Sequence, residues 1–427
     1  MSKRRRLISG WALIVVGGLG LALSLPVETT DDVWQQRKPP ATYTALEQAA
    51  ARAPSNPRLW STLGAACLFD PLHLDYQASE RHLRRALTLA PYDARLWGML
   101  GDTLAISGKV DEAERVLRRA HELAPNHFIS QWRLANALIR VGKLDEAVPY
   151  ARGALRSNPG QAILMLDLGW RVSGGDRRFV EALLPPGMLG IEYQYLRLLL
   201  TYQRIEDAVA RWREVLREQD ADRVWTNAFL QDLLTAQAYE PAWRVWAAVP
   251  ERQALGLKRT EVYDGGFRQP VAKAPIFEWR FRQNEEGVRL ARDQRIEKPF
   301  EGNALQIAYD SPSPTLTHAQ QLLVPPPGDY RLSYFVRSEN LVTAAPPCVE
   351  LTSPRRRDWR IRSAPNLRGT QPWRQVQVDF TIPPDLGAVE LSIMRPADCV
   401  TPGNCPITGV VWFGGFTLEP RTRARDG

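Results

Sequence analysis

The stretch RRRDWRIR, residues 355–362, gathers residue types that a sugar-binding surface needs. A flat indole such as Trp359 offers an apolar face to the C–H side of a pyranose ring, with a polar handle at its edge. Arg355, Arg356, Arg357 and Arg360 offer rigid forks of N–H donors that suit an anionic glycan. The plainer reading of the same residues is a sheet edge blunted by charge. Glycoside hydrolysis would need two converging carboxyl groups, and Asp310, Glu339 and Asp358 are the conceivable acids. The five histidines, His73, His82, His121, His127 and His318, offer no metal-ligand spacing. His121 and His127 stand six apart around a Pro-Asn turn. No H-E-x-x-H, P-loop or G-x-S-x-G is present. The loop GWRVSGG (169–175) lacks the spacing for phosphate. The expectation is a binding protein without enzyme activity, metal or cofactor.

The chain holds four cysteines. Cys399 and Cys405 bracket VTPGN and are the expected disulfide, with Cys348 able to replace either. Such a bond needs an oxidising compartment. Cys67 falls on the inner face of a helix and reads as a buried free thiol, the usual place for one.

Residues 7–25 read LISGWALIVVGGLGLALSL, uncharged and preceded by KRRR. At about 1.5 Å per residue they nearly span a ~30 Å hydrocarbon core. Basic residues stay cytoplasmic, which places the bulk of the chain outside. A cleaved signal peptide is the alternative, though its apolar region is usually only about 7–15 residues. Residues 1–27 are thus expected to be a cytoplasmic basic tail and a transmembrane anchor in a bacterial inner membrane, with the remainder periplasmic. No cysteine follows the apolar run, which excludes a lipid-modified N-terminus. The net charge of +8 sits mostly at the ends, in Lys3, Arg4, Arg5, Arg6, Arg421, Arg423 and Arg425. With the middle nearly balanced, no nucleic-acid partner is expected.

A polar, proline-containing linker (28–42) leads to a segment that repeats itself. Pro91, Pro125 and Pro159 recur every 34 residues, as do Gly108 and Gly142, Ala113 and Ala147, Ala208 and Ala242, and Trp212 and Trp246. Asp-Glu recurs at 111–112 and 145–146, an acidic pair favoured at a helix start. Trp60-x-x-Leu63-Gly64 is echoed by Trp97-x-x-Leu100-Gly101. In the next copy Trp132 comes one residue late and Ala135 replaces glycine. Residues 43–252 resemble tetratricopeptide repeats, clearly over 55–160 and in degenerate form over 160–250. The resemblance implies stacked helical hairpins, with tryptophans in the core and a concave surface for a protein partner. A passive spacer is the alternative.

From residue 258 the period becomes two. NALQIAY (303–309), YRLSYFVRS (330–338), RQVQVDFTI (374–382), AVELSIMR (388–395) and VVWFGGFTL (410–418) read as strands between turn-rich segments. Residues 258–420 resemble the jelly-roll carbohydrate-binding modules appended to bacterial glycan-active proteins. They resemble more closely the C-terminal module of membrane-anchored repeat proteins associated with exopolysaccharide or O-antigen systems. In that pattern Tyr263–Phe267 is a first strand, followed by a turn and a second strand through Trp279. Trp279, Trp373 and Trp412 are expected in the core. Some relatives hold calcium through acids where this chain has Arg268 and Gly414-Gly415, so no calcium is expected. The whole reads as a multidomain chain: transmembrane helix, all-α tetratricopeptide-like solenoid, all-β jelly-roll sandwich, and a basic tail (421–427). The implied role is a scaffold in envelope polysaccharide assembly or export, with the sandwich contacting glycan or a second protein.

Overall fold

The computed structural model describes residues 42–270, 276–282, 287–310, 317–363, 365–396 and 406–421. The expected anchor (7–25), Cys399, Cys405 and the tail from residue 422 lie outside the described residues. Among the described residues no helix is long and apolar enough to cross a membrane. The chain divides into two compact units, Met1–Leu198 and Leu199–Gly427.

The first unit is a run of antiparallel helical hairpins. They are α1 (Tyr43–Arg52), α2 (Pro57–Phe69) with α3 (Tyr76–Leu89), α4 (Ala94–Ile106) with α5 (Val110–Leu123), α6 (Phe128–Arg140) with α7 (Leu144–Ser157), α8 (Ala162–Val172) with α9 (Arg177–Leu183), and α10 (Leu189–Thr201). Asn56, Asp75, Asp93 and Asp176 each cap a helix through a side-chain oxygen, as short polar residues do. Gly108 and Gly142 both have φ of 79°. That left-handed residue lets the next N–H reach back, Lys109 to Leu104 O and Lys143 to Leu138 O, both at 2.9 Å. Within hairpins, small residues admit large ones. A Cβ on Gly101 would lie 2.4 Å from Leu117 Cδ2, and one on Gly64 2.7 Å from Leu83 Cγ. One period later the pair is Ala135 and Ala151, both fully buried, so the missing glycine is matched by a smaller neighbour.

The repeat tryptophans do not all sit in the core. Trp60 and Trp97 are half-buried. Each donates its indole N–H to a proline carbonyl six residues back, Pro54 at 2.9 Å and Pro91 at 2.8 Å. In the third hairpin Gln131 makes that bond, to Pro125 O at 2.7 Å. Trp132, one residue late, is buried instead. Cys67 is buried as expected, its Sγ 3.2 Å from the Tyr43 hydroxyl.

The second unit starts with the last helices: α11 (Ile205–Arg211), a π-helical turn Trp212–Leu216, α12 (Arg217–Gln219), α13 (Val224–Thr235), α14 (Tyr239–Ala247) and α15 (Pro250–Gln253). Trp212 and Trp246 are buried. Two antiparallel five-stranded sheets follow. One has the order β1-β4-β9-β6-β7 and the other β2-β3-β10-β5-β8. The strands are β1 (Arg280–Phe281), β2 (Val288–Asp293), β3 (Ala304–Tyr309), β4 (Thr317–Leu323), β5 (Gly328–Thr343), β6 (Cys348–Thr352), β7 (Arg360–Ser363), β8 (Gly369–Ile382), β9 (Val389–Met394) and β10 (Ile407–Pro420). The chain crosses repeatedly between the sheets. Their inner faces share one apolar core that includes Ile307, Tyr334, Val349, Leu391 and Phe413.

Two expectations need correction. Tyr263–Phe267 is not a strand, because Asp264 and Phe267 both have φ of 49° and the segment turns. Its backbone pairs irregularly, Phe416 N to Gly265 O at 3.0 Å and Asn303 N to Gly266 O at 2.6 Å. Trp279 is in the core, whereas Trp373 is half-buried on the outer side of its sheet, and Trp412, flanked by the core residues Val411 and Phe413, is covered on the outer side of β10 against Asp293 and Arg337. Trp373 packs edge-on against Phe300 and donates to Glu297 O at 2.7 Å.

Candidate functional site

In the first unit, α2, α4, α6 and α8 touch in succession, while α3, α5 and α7 make at most sparse contact with one another. The first helices therefore form one continuous row, while among the second helices α7 and α9 touch. Along that row Asp102 of α4 pairs with Arg133 of α6 at 2.7 Å, and Asp167 pairs with Arg171 of α8 at 2.5 Å. Gly98 makes room for Arg133: a Cβ there would lie 2.6 Å from its Nη1. Burial raises the Asp102 carboxyl against the pull of Arg133. Arg140, at the end of α6, makes no ion pair or hydrogen bond among the described residues. Solvent reaches it, yet protein surrounds it closely enough that burial, and then Arg171, lowers its pKa. An unpaired guanidinium close to Asp102 and Arg171 is an unspent set of donors on the first-helix row.

The second helices of the same hairpins carry an ion-pair ladder. Glu80 takes Arg84 and Lys109, and one period on Glu114 takes Arg118 and Lys143. Arg84 also reaches Glu112, and Arg118 reaches Glu146. These eight charges are all paired, and the ladder ties each of these second helices to the next hairpin.

In the second unit the last helices are fused to the sandwich through Glu278, which is buried. Its Oε1 accepts from Trp246 Nε1 at 3.0 Å and from Arg252 at 2.6 Å. Its Oε2 accepts from the backbone of Ile276 at 2.9 Å and of Phe277 at 3.2 Å. Arg252 lies 4.9 Å from the Trp246 ring centroid, and Tyr263 meets that ring edge-on at 5.3 Å.

The arginine–tryptophan stretch is brought together only in part. Arg355 bonds Gln237 O at 2.7 Å and stands 5.4 Å from the Tyr239 ring, so it belongs to the same helix–sandwich contact. Arg356 is paired with Asp358 at 2.9 Å and Asp385 at 3.3 Å. Arg360 pairs with Glu350 at 3.5 Å, on an edge strand. Trp359 packs edge-on against Phe380 at the border of the core. Arg357 is exposed and has no partner among the described residues. The acids do not converge either: Asp310 pairs with Arg289, Glu339 with Arg337, and Asp358 with Arg356 in the turn between β6 and β7 of the other sheet. At the positions weighed for calcium, Arg268 pairs with Glu301, and Phe300 covers Gly414 and Gly415.

Two tetratricopeptide repeat family models match the chain, over residues 75–138 and 133–170. No curated protein matches it. Among solved structures, a crystal structure of MamA is similar at 16% identity, covering 36% of this chain and 87% of that one, with a TM-score of 0.31. A complex of the TPR2B domain of yeast Sti1 with an Hsp70 peptide is similar at 22% identity, covering 28% and 96%, with a TM-score of 0.26. A CBM4 structure is similar at 15% identity, covering 38% and 99%, with a TM-score of 0.26.

Proposed function

We propose that this chain is a non-enzymatic scaffold, anchored in a bacterial inner membrane, whose helical repeats hold a protein partner and whose sandwich contacts glycan or a second protein. The observation that carries the proposal is Arg140, an unpaired guanidinium on the first-helix row. An acidic residue of a partner would complete it with charge-assisted bonds. The tetratricopeptide matches over 75–170 support protein binding by these hairpins. The sandwich's resemblance to carbohydrate-binding modules supports a place in envelope polysaccharide assembly or export. The apolar run at 7–25 supports the anchor.

The test is affinity capture from solubilised envelopes with the wild-type chain and with Arg140→Glu. Loss of one captured protein in Arg140→Glu, and its retention in Lys143→Glu on the ladder side, is the expected result. Equal capture by all three chains removes the assignment. For orientation, a phosphatase fused after residue 41 should be active, and an inactive fusion contradicts a periplasmic bulk.

A further inference from the structure

A cavity of about 500 Å³ opens in the second unit where the last helices meet the sandwich. It falls within the usual ~300–1,000 Å³ range of small-molecule sites. The half-exposed rings of Trp243, Tyr263, Phe300 and Phe335 are part of its lining. These rings come from α14, from the turn after α15, from the loop between β2 and β3 (Phe300), and from the outer side of β5 (Phe335). Its ionic groups are already neutralised. Lys258 pairs with Glu261 at 3.1 Å, Arg259 with Glu240 at 3.6 Å and Arg268 with Glu301 at 2.9 Å. Asp264, the remaining acid, is taken by the backbone N–H groups of Arg268 and Gln269, at 2.6 and 2.9 Å. The groups left over are uncharged. The Trp243 indole N–H, the Tyr263 hydroxyl and the Gln269 amide make no side-chain hydrogen bond among the described residues.

Aromatic faces with spare neutral donors and acceptors, and no spare charge, select a ligand that is uncharged, hydroxyl-rich and apolar on one face. We infer that this cavity binds a neutral oligosaccharide, stacked on Trp243 and hydrogen-bonded by Tyr263. The inference rests on the proposal that the sandwich contacts glycan, and it replaces the 355–360 cluster as the place of contact. An anionic glycan would find no unpaired cation in this lining and would leave the cavity's ion pairs to be broken.

The experiment is calorimetric titration of the full chain in a zwitterionic, non-glycosidic detergent. The probes are neutral α- and β-linked hexose tetrasaccharides and, for contrast, tetragalacturonate. A neutral probe should bind saturably. Trp243→Ala should abolish that binding. Tyr263→Phe keeps the ring and the packing, and should weaken binding about five- to tenfold through one lost hydrogen bond. Arg140→Glu should leave it unchanged. Neutral binding that survives both cavity variants but is lost in Trp359→Ala overturns the cavity and keeps the glycan proposal. Preference for tetragalacturonate also overturns the cavity. Absence of binding by every probe overturns both, and leaves the partner capture by the repeats as a separate question.

Discussion

Glu278 is the residue on which the second unit's architecture turns. A buried carboxylate is costly unless its oxygens are satisfied, and here four donors satisfy it. Glu278→Ala leaves Arg252 and the Trp246 N–H without their acceptor. We expect a loss of about 3–5 kcal/mol, the usual cost of removing one partner of a buried pair. Urea unfolding should show it as a lower midpoint for the transition that includes the sandwich, and an unchanged midpoint contradicts the role. None of this was legible in the sequence. FEWRF reads as strand, and the carboxylate's side-chain partners lie 26 and 32 residues upstream, in a segment of a different period. Gln131 was illegible for a similar reason. The family pattern marks the position by an indole, whereas the structure needs only an N–H donor that reaches the proline carbonyl.

At the scale of elements, the fading of the repeat after residue 160 is a fading of residue types more than of backbone. The bond that closes each hairpin turn persists, Arg204 N to Leu199 O and Ala238 N to Leu233 O, both at 2.8 Å. The left-handed residues there are Gln203 and Gln237, with φ of 57° and 55°, where the earlier turns use glycine. A non-glycine residue in that region costs about 1 kcal/mol or more. Gln203→Gly and Gln237→Gly should therefore raise stability by up to about 1 kcal/mol each, less the added freedom of the unfolded chain. Thermal unfolding of the single variants checks this, and a loss of stability in both contradicts it. The ion-pair ladder makes a second prediction. Lys109 and then Arg84 hold the Glu80 carboxyl below its ordinary range, and Lys143 and then Arg118 do the same for Glu114. Their folded pKa values lie below the unfolded value of about 4.3. Their contribution is complete above that pH and is lost as pH falls through the folded values. The melting temperature should drop on acidification from pH 5 to pH 3, and drop less in the double variant Glu80→Gln/Glu114→Gln. Equal drops in both proteins would exclude a role for the ladder. The contribution is modest, since exposed pairs give at most about 1 kcal/mol each.

At the scale of the molecule, composition and period made the broad order readable. Proline and glycine spacing marked the hairpins, and alternating strands such as YRLSYFVRS marked the sandwich. The short strands β2, β4, β6 and β7 escaped, because VRLARD, THAQQLL, CVELT and RIRS are short or carry too little alternation to separate from their loops. The compact division falls at Leu198 and Leu199, earlier than the change of period near residue 258. The last helices share contacts with the sandwich that no local spacing announces, among them Arg259 Nε to Val324 O at 2.8 Å. The two faces of the repeats were likewise indistinguishable in sequence: arginine is abundant on both, and only pairing separates Arg140 from Arg84. A crosslinking experiment separates the unpaired Arg140 from the paired Arg84. A photo-crosslinking residue would replace Ile106, one helical turn past Asp102 on the Arg140 side, or Arg84 on the ladder side, in the full chain in living cells. A discrete protein adduct is expected from position 106, disappearing when Arg140→Glu is added, and none from position 84. An adduct from position 84 alone, or one at 106 indifferent to Arg140, would contradict that expectation.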